Sequence, residues 1–435
     1  MTRIVVVGAG FAGYYAAKRL TDRVDAGTEV VVINPHDYFL YVPLLPQVMS
    51  GVVEPRRLTV SLAGTLPGVR YVAGTVTGID LDARTVAYEM LDGGSQQLGY
   101  DQVVVTSGSV TKLLPIPGVA SHALGFRDLA EAVFLRDHLI RQIELADETD
   151  DSVERDARLT FVVVGAGYTG TEVAAQGARL TRRLLRRHPR LAEHNARWML
   201  LDTAPNVLPG LRPRLGRSAA KALKRLGVDV RMRTSVKEAT RDGVQLTDGS
   251  TVPTRSLVWC VGVRPDPLVS ALGLETDHGR LKVSADLGVP GHADAWACGD
   301  SAAVPDLTKP GQVTAMTAQH AQRQGTHVAD NILAVLAGRP STPYEHHDLG
   351  FVVDLGGTSA AADPLGVPLG GWPAALVTRG YHLLAMPGNR LRTVLDWLAH
   401  ALLGPQEAQL QLVARPDLPM DTSAPLEGGK DSAGQ

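Results

Sequence analysis

A chain of 435 residues exceeds what one ordinary hydrophobic core organises, so two or three domains are expected. With 44% hydrophobic and 20% charged residues it has the composition of soluble globular proteins. A formal net charge of −2 gives no electrostatic argument for nucleic acid, and none is expected as a partner.

The chain opens on Arg3-Ile4-Val5-Val6-Val7, an unbroken apolar run of the kind a strand buried on both faces needs. Gly8-Ala9-Gly10-Phe11-Ala12-Gly13 follows, then a predicted helix from Tyr14 to about Val24 and a second parallel strand over Val30–Ile33. Residues 34–58 carry several prolines and no clear periodicity, and a loop of that length is more often functional than idle. Strand-like runs alternate with turn signals from Val69 to Val105, which predicts a small antiparallel meander. Apolar Leu129, Val133, Leu135, Leu139 and Ile143 predict a helix from Asp128 to about Leu145, and acidic residues 147–156 read as a solvated linker.

At Leu159 the opening pattern returns. Thr160-Phe161-Val162-Val163-Val164 leads into Gly165-Ala166-Gly167-Tyr168-Thr169-Gly170 and another helix. This internal duplication is the main organisational fact of the sequence. A second meander is expected over 228–258, then a strand, a Gly-Asp turn and a long helix between Ala295 and about Leu336. Residues from 345 onward form a third unit, ending in a polar tail over 405–435 that is expected to be disordered.

Each GxGxxG turn sits between a buried strand and a helix, the context the motif requires. The first glycine permits the tight turn, the second lets a pyrophosphate approach the backbone, and the third lets helix and strand pack closely. The helix N-terminus then offers free N–H groups to the phosphates. The residue closing the second strand of each unit is expected to hold a ribose hydroxyl. In the second unit this is Asp202, a carboxylate that favours NADH over NADPH. In the first it is Asn34, for which a plain turn residue is the competing reading.

Cys260 and Cys298 each lie in an apolar strand-like run, and no CxxC pair exists, which excludes a redox-active disulfide on one short loop; buried free thiols are expected, with a long-range pair as the alternative. The N-terminus enters a strand directly, and no stretch approaches a spanning helix, so a cytoplasmic protein, or one held at the inner face of the cell membrane, is expected.

Two nucleotide units so arranged resemble the two-dinucleotide flavoprotein superfamily, which implies FAD on the first unit and a nicotinamide cofactor on the second. Ala295-Trp296-Ala297-Cys298-Gly299-Asp300 is similar to that superfamily's second FAD motif, in which the aspartate bonds the ribityl chain. The stretch from Val103 through Gly108 to Ser109 resembles the strand and glycine that return to the FAD domain, and that from Val258 through Gly262 to Pro265 the exit from the NAD domain. Val76, in the first meander, is a further expected cofactor contact.

Within the superfamily the chain is most similar to type II NADH dehydrogenases, the single-subunit NADH:quinone oxidoreductases. Four segments carry this: the Asp37–Val48 loop, Gly170-Thr171-Glu172, Ala318-Gln319-His320-Ala321-Gln322-Arg323-Gln324-Gly325, and the stretch from Gly380 to Leu403. The position of the family's second glutamine in the third segment is Arg323 here. The resemblance implies an α/β fold of two Rossmann-like domains, divided as 1–125 and 286–340 for FAD, 159–285 for NAD(H), and 341–404 for a C-terminal α+β region. It implies FAD and NADH as cofactors and a quinone as acceptor. Glu172 is expected on the first turn of the helix after the NAD motif, near nicotinamide and flavin, against the reading of a helix-start carboxylate favoured by the dipole. Ala318 and Gln319 are expected at the flavin edge and quinone pocket, against a helix-start glutamine without chemistry. His320 is read first as a structural histidine.

Leu391, Val394, Leu395, Leu398 and Leu402 recur at helical spacing within 389–403, predicting an amphipathic helix. Peripheral membrane contact, with Trp397 near the interface and arginines at headgroups, stands beside core packing and a homodimer contact. The competing functions are a soluble reductase serving a ferredoxin-like protein and a flavin-bound redox sensor. A sulfide:quinone oxidoreductase is disfavoured by the placement of the two cysteines, and a disulfide reductase by the missing CxxC.

Overall fold

The computed structural model describes residues 1–346, 349–404 and 406–413. In chain order the first unit is β1 (Thr2–Val7), α1 (Phe11–Thr21), β2 (Thr28–Asn34), α2 (Leu45–Met49), β3 (Arg70–Asp80), β4 (Thr85–Met90), β5 (Ser95–Gly99) and β6 (Gln102–Val105). β1 lies at the centre of a parallel sheet, with Ile4, Val5 and Val6 fully excluded from water. Val5 pairs with Val31 of β2 on one side and Val103 of β6 on the other.

The second unit follows α3 (Leu129–Glu148) and α4 (Ser152–Arg158). It comprises β7 (Thr160–Val164), α5 (Tyr168–Leu185), β8 (Arg197–Asp202), β9 (Val228–Met232) and β10 (Ser256–Trp259). β7 is central in the same way, Val163 pairing with Leu200 of β8 and Val258 of β10. The chain then returns through β11 (His292–Ala297), which adds to the first sheet beside β6, with Ala295 opposite Val103. α6 (Ala318–Leu336) packs against α1 so closely that a Cβ on Gly325 would stand 2.1 Å from the Ala12 carbonyl oxygen. The third unit holds β12 (Val352–Asp354), in a small antiparallel sheet with 360–362 and 369–370, then α7 (Trp372–Ala385) and α8 (Arg390–Leu403).

The fold class is the expected one, and several local expectations are corrected. α1 begins at Phe11, directly on the glycine turn, and ends at Thr21. The 34–58 segment is ordered: strands Tyr38–Leu40 and Thr59–Ser61 pair, and α2, in the stretch that joins them, packs on α3 and α5. Only β3 to β5 form an antiparallel meander in the first unit, and β6 instead runs parallel to β1. In the second unit β9 and β10 are parallel members, leaving a three-stranded meander over 236–253. The acidic linker contains α4, because Asp151 caps it by accepting the Val153 N–H at 2.9 Å. Of the expected disordered tail, residues 406–413 lie against α3, where Asp137 accepts the N–H groups of Leu410 and Gln411 at 2.9 and 2.6 Å. Residues 414–435 lie outside the described residues.

α3 opens with a capping box. Asp128 accepts the Glu131 N–H at 2.8 Å, and Glu131 accepts those of Arg127 and Asp128 at 2.5 and 3.2 Å. Glu131 is buried, and burial, seconded by the Asp128 charge, pushes its carboxyl up to about 7. A carboxyl whose folded pKa exceeds its unfolded one favours the fold fully below the unfolded value, and that contribution is lost as pH climbs to about 7. Glu131→Gln keeps the box and removes the loss. The variant is expected to gain on the parent by at most about 3 kcal/mol between pH 4 and 8, read as a urea midpoint at each pH. A gap that stays constant with pH would contradict this.

Candidate functional site

The two glycine-rich turns have the same geometry. Gly8 has φ +92° and Gly165 φ +104°, left-handed conformations that L side chains avoid. A Cβ on Gly8 would meet the Thr106 carbonyl oxygen at 2.7 Å, and one on Gly165 the Cys260 carbonyl oxygen at 2.2 Å. The third glycines are tighter still, with Gly13 and Gly170 placing a Cβ 1.9 and 1.8 Å from the carbonyl oxygens of Gly8 and Gly165. The middle glycines, Gly10 and Gly167, have nothing within 4 Å of that position. That is an open approach to the backbone, the shape a pyrophosphate needs.

Both middle glycines are also helix N-caps with no side-chain cap. At the same position of α3 and α6, Asp128 and Thr317 satisfy the helix donors. The first N–H groups of α1 and α5, around Phe11, Ala12, Tyr168 and Thr169, therefore face outward for an anion. This chemistry fits a dinucleotide at each turn.

The residues closing the second strands also correspond. Asn34 Oδ1 accepts the Ala9 N–H at 2.9 Å, and Asp202 Oδ2 accepts the Ala166 N–H at 2.6 Å. Asp202 Oδ1 further accepts the Ala204 N–H at 2.8 Å. Each side chain thus holds its own glycine turn in place at the C-terminal end of the sheet.

Around the first turn the fold gathers the expected residues from distant segments. Gly299, with φ +73°, would press a Cβ to 2.9 Å of Ala12 Cβ, and its N–H is accepted by Gln324 at 2.8 Å. Gly108 donates its N–H to Ser301 Oγ at 2.8 Å, and Ser109 Oγ donates to Asp300 Oδ2 at 2.7 Å. Burial raises the Asp300 carboxyl, opposed by the Ser109 hydrogen bond and by Arg280 and Arg127. Val76 continues β3 past the pairing of Ala73 with Asn34 and packs against the core beside Tyr88. Gly262, with φ +100°, accepts the Lys112 N–H at 3.0 Å just past β10. Both thiols are free, and burial pushes both up, which keeps them unreactive.

Ala318 and Gln319 open α6, and Gln319 Nε2 donates to the Gly350 carbonyl at 2.9 Å, tying that helix start to the third unit. His320 is buried, with Nδ1 3.4 Å from the Tyr344 hydroxyl. Glu172 is not on the first turn of α5 but on the second, which removes the helix-start explanation. Its Oε1 accepts the Asp354 N–H at 2.7 Å, and burial, with the Asp354 charge adding, holds the carboxyl far above the usual carboxylate range. Asp354 and Gln47 join it without having been singled out from sequence. The one signal was a lone acid inside the apolar run Phe351-Val352-Val353-Asp354-Leu355.

Trp397 is also corrected. Its Nε1–H donates inward to Gln47 Oε1 at 2.7 Å, and the side chain is half-buried. Arg390 spends its guanidinium on the carbonyls of Met386 and Leu384, and Asp396 pairs with Arg57 at 3.0 Å. Leu391, Leu395, Leu398 and Leu402 are exposed, Leu391 by 71% and Leu402 by 82%, while Val394 is half-buried. Trp372, Leu376 and Leu384 of α7 are exposed as well. No helix among the described residues is long and apolar enough to cross a membrane.

The family model of the pyridine nucleotide-disulphide oxidoreductases matches residues 2–325. The chain is 33% identical over 415 residues to the type II NADH:quinone oxidoreductase Ndh of Mycobacterium tuberculosis, covering 91% of this chain and 87% of that one. It is 32% identical over 413 residues to the demethylphylloquinone reductase NdbB of Synechocystis, covering 92% and 96%. Among solved structures, NDH2 from Plasmodium falciparum in complex with NADH superposes with a TM-score of 0.86 at 17% identity, over 94% of this chain and 99% of that one.

Proposed function

The chain belongs to the pyridine nucleotide-disulphide oxidoreductase family and, within it, to the type II NADH:quinone oxidoreductases, and from that membership we propose the following division of work among its residues. The enzyme oxidises NADH and reduces a quinone, with FAD between them and no proton pumping. The observation that carries this reading is the duplicated, uncapped glycine turn, in a chain one-third identical to a quinone reductase along nearly its whole length.

When bound, FAD supplies the hydride acceptor and the two-electron donor. The open face at Gly10, the N–H groups of α1 and the side chains of Asn34 and Asp300 hold it on the first unit. Gly167, the start of α5 and Asp202 hold NADH on the second. Ala318 and Gln319 would face the flavin ring and the quinone, and Gln319 is fixed by its bond to the Gly350 carbonyl. Quinone reduction by NADH consumes one proton beyond the hydride, and Glu172 is the half-buried acid that holds it, one turn into the NAD helix.

Anaerobic NADH is expected to bleach the flavin band of the holoenzyme rapidly, and a soluble menaquinone analogue to restore it promptly. Bleaching without recovery would point to a protein acceptor and sink the quinone assignment.

The exposed faces of α7 and α8 support peripheral attachment to a bilayer, with the leucines in the acyl boundary and Arg392 at the headgroups. Leu391→Glu with Leu398→Glu is expected to release the protein from sedimenting vesicles at least ~10-fold while flavin bleaching by NADH is retained. Unchanged sedimentation, with loss of a dimer in sizing, would assign the same face to a second copy.

A further inference from the structure

A chain of hydrogen-bonded polar side chains, with Gln47 buried and Glu172, Asp354 and Trp397 half-buried, joins α5, β12, α2 and α8. Glu172 Oε1 accepts the Asp354 N–H at 2.7 Å. Asp354 Oδ1 accepts the Gly356 N–H at 2.8 Å, and its Oδ2 accepts Gln47 Nε2 at 2.7 Å. Gln47 Oε1 in turn accepts the Trp397 indole N–H at 2.7 Å. Gln176 closes the side of the cluster, donating to the Asp354 carbonyl at 3.4 Å and accepting from Ser50 at 2.7 Å.

The polarity of this chain is fixed at one end. An indole nitrogen only donates, so the Gln47 amide has one orientation, carbonyl toward Trp397 and amino group toward Asp354. Asp354 therefore meets an N–H on each oxygen, the environment that favours a carboxylate. Burial raises the Asp354 carboxyl above its ordinary value, opposed by the Gly356 and Gln47 hydrogen bonds and by its cationic neighbours, Arg379 on α7 and Arg179 on α5. Arg179 gives its Nε–H to the Leu355 carbonyl, and Arg379 reaches the Gly357 carbonyl, so both stand over the β12 turn. Glu172 has a single backbone donor on one oxygen and the charge of Asp354 beside it. Two neighbouring carboxylates repel, and Glu172, with fewer donors than Asp354, is the one that takes the proton.

We propose that Asp354, oriented by Gln47 and through it by Trp397, is the positioning residue that keeps Glu172 in its acid form beside the NAD-side glycine turn. This deepens the assignment of Glu172 made above and rests on it. The balance is simple: NADH delivers two electrons and one hydrogen, the Glu172 carboxyl O–H breaks to give quinone its second proton, and the resulting carboxylate regains a proton from solvent. With Asp354 charged, that carboxylate is the unstable form and reprotonation is favoured. Because Trp397 lies on α8, the helix with the exposed leucines also sets the amide that orients Asp354.

The test is an infrared titration of the oxidised holoenzyme in heavy water, following the carboxylic-acid carbonyl band that Glu172→Gln removes. Asp354→Asn is expected to make Glu172 about tenfold more acidic, one pH unit in the band's midpoint. Trp397→Phe frees Gln47 to turn its carbonyl to Asp354, and is expected to move the midpoint the same way by about threefold. A midpoint unmoved in a folded Asp354→Asn protein overturns the proposal. Should that variant fail to fold, an unmoved midpoint in Trp397→Phe overturns it instead. The pH profile of flavin reoxidation by quinone, taken on the same variants, is expected to move with the band. If the band moves and the profile does not, the pairing stands and the role of Glu172 in turnover falls.

Discussion

Gly170→Ala is expected to lower kcat/KM for NADH by at least ~100-fold while the purified protein keeps its FAD. The added Cβ would stand 1.8 Å from the Gly165 carbonyl oxygen and 3.3 Å from Cys260 Cβ. The first obstacle is backbone and has no rotamer to change, so α5 must move off β7 and widen the turn. The mirror substitution, Gly13→Ala at 1.9 Å from the Gly8 oxygen, is expected to yield protein that purifies without flavin. The middle glycines supply the control that separates packing from binding. Gly167→Ala meets no atom within 4 Å and needs no positive φ, so the thermal midpoint is expected to stay at the parent value. Its NADH-dependent bleaching, followed by stopped flow, is nonetheless expected to weaken about tenfold, because the methyl occupies the approach of the pyrophosphate. Parent-like NADH kinetics in Gly167→Ala would mean that the pyrophosphate does not lie there.

Those turns were legible in sequence because their demands are local. A left-handed residue, a close helix–strand approach and a buried parallel strand each restrict residue type within a few positions, and the restriction repeats at Gly8–Gly13 and Gly165–Gly170. The same holds for the helix start at Asp128 and for the Asn34 and Asp202 strand ends. What was not legible depends on partners far along the chain. The 34–58 segment has no period of its own because its order comes from pairing 38–40 with 59–61 and from packing α2 on α3 and α5. Trp397 looked like an interfacial aromatic from its helix alone, and only the Gln47 acceptor, 350 positions away, turns it inward. Asp354 has no motif at all, and its importance comes from Glu172, 182 positions earlier. Residues 406–413 read as polar tail, yet Asp137 of α3 supplies the acceptors that fix them.

Asp202→Asn is expected to cut the preference for NADH over NADPH at least tenfold, with a loss of no more than about tenfold in kcat/KM for NADH. The protein contains the precedent for this substitution. In the first unit Asn34 stands where Asp202 stands in the second, and its amide oxygen accepts the Ala9 N–H at 2.9 Å as Asp202 accepts that of Ala166 at 2.6 Å. An amide oxygen therefore suffices for the Ala166 N–H, so the substitution removes the charge and keeps that bond, while the Ala204 N–H, accepted by Asp202 Oδ1 at 2.8 Å, would face an amide nitrogen that cannot accept. The charge is what separates the two nucleotides, since a carboxylate strengthens a hydrogen bond from a ribose hydroxyl and repels a 2′-phosphate. Asp202→Ala is expected to behave differently. It leaves the N–H groups of Ala166 and Ala204 without their acceptor, at about 1–3 kcal/mol each, so NADH and NADPH should both lose rate along with stability. Steady-state kcat/KM for the two nucleotides in the two variants decides the matter. A selectivity ratio unchanged in Asp202→Asn would confine the carboxylate to holding the turn and place the discrimination between nucleotides elsewhere on α5 or the loop after β8.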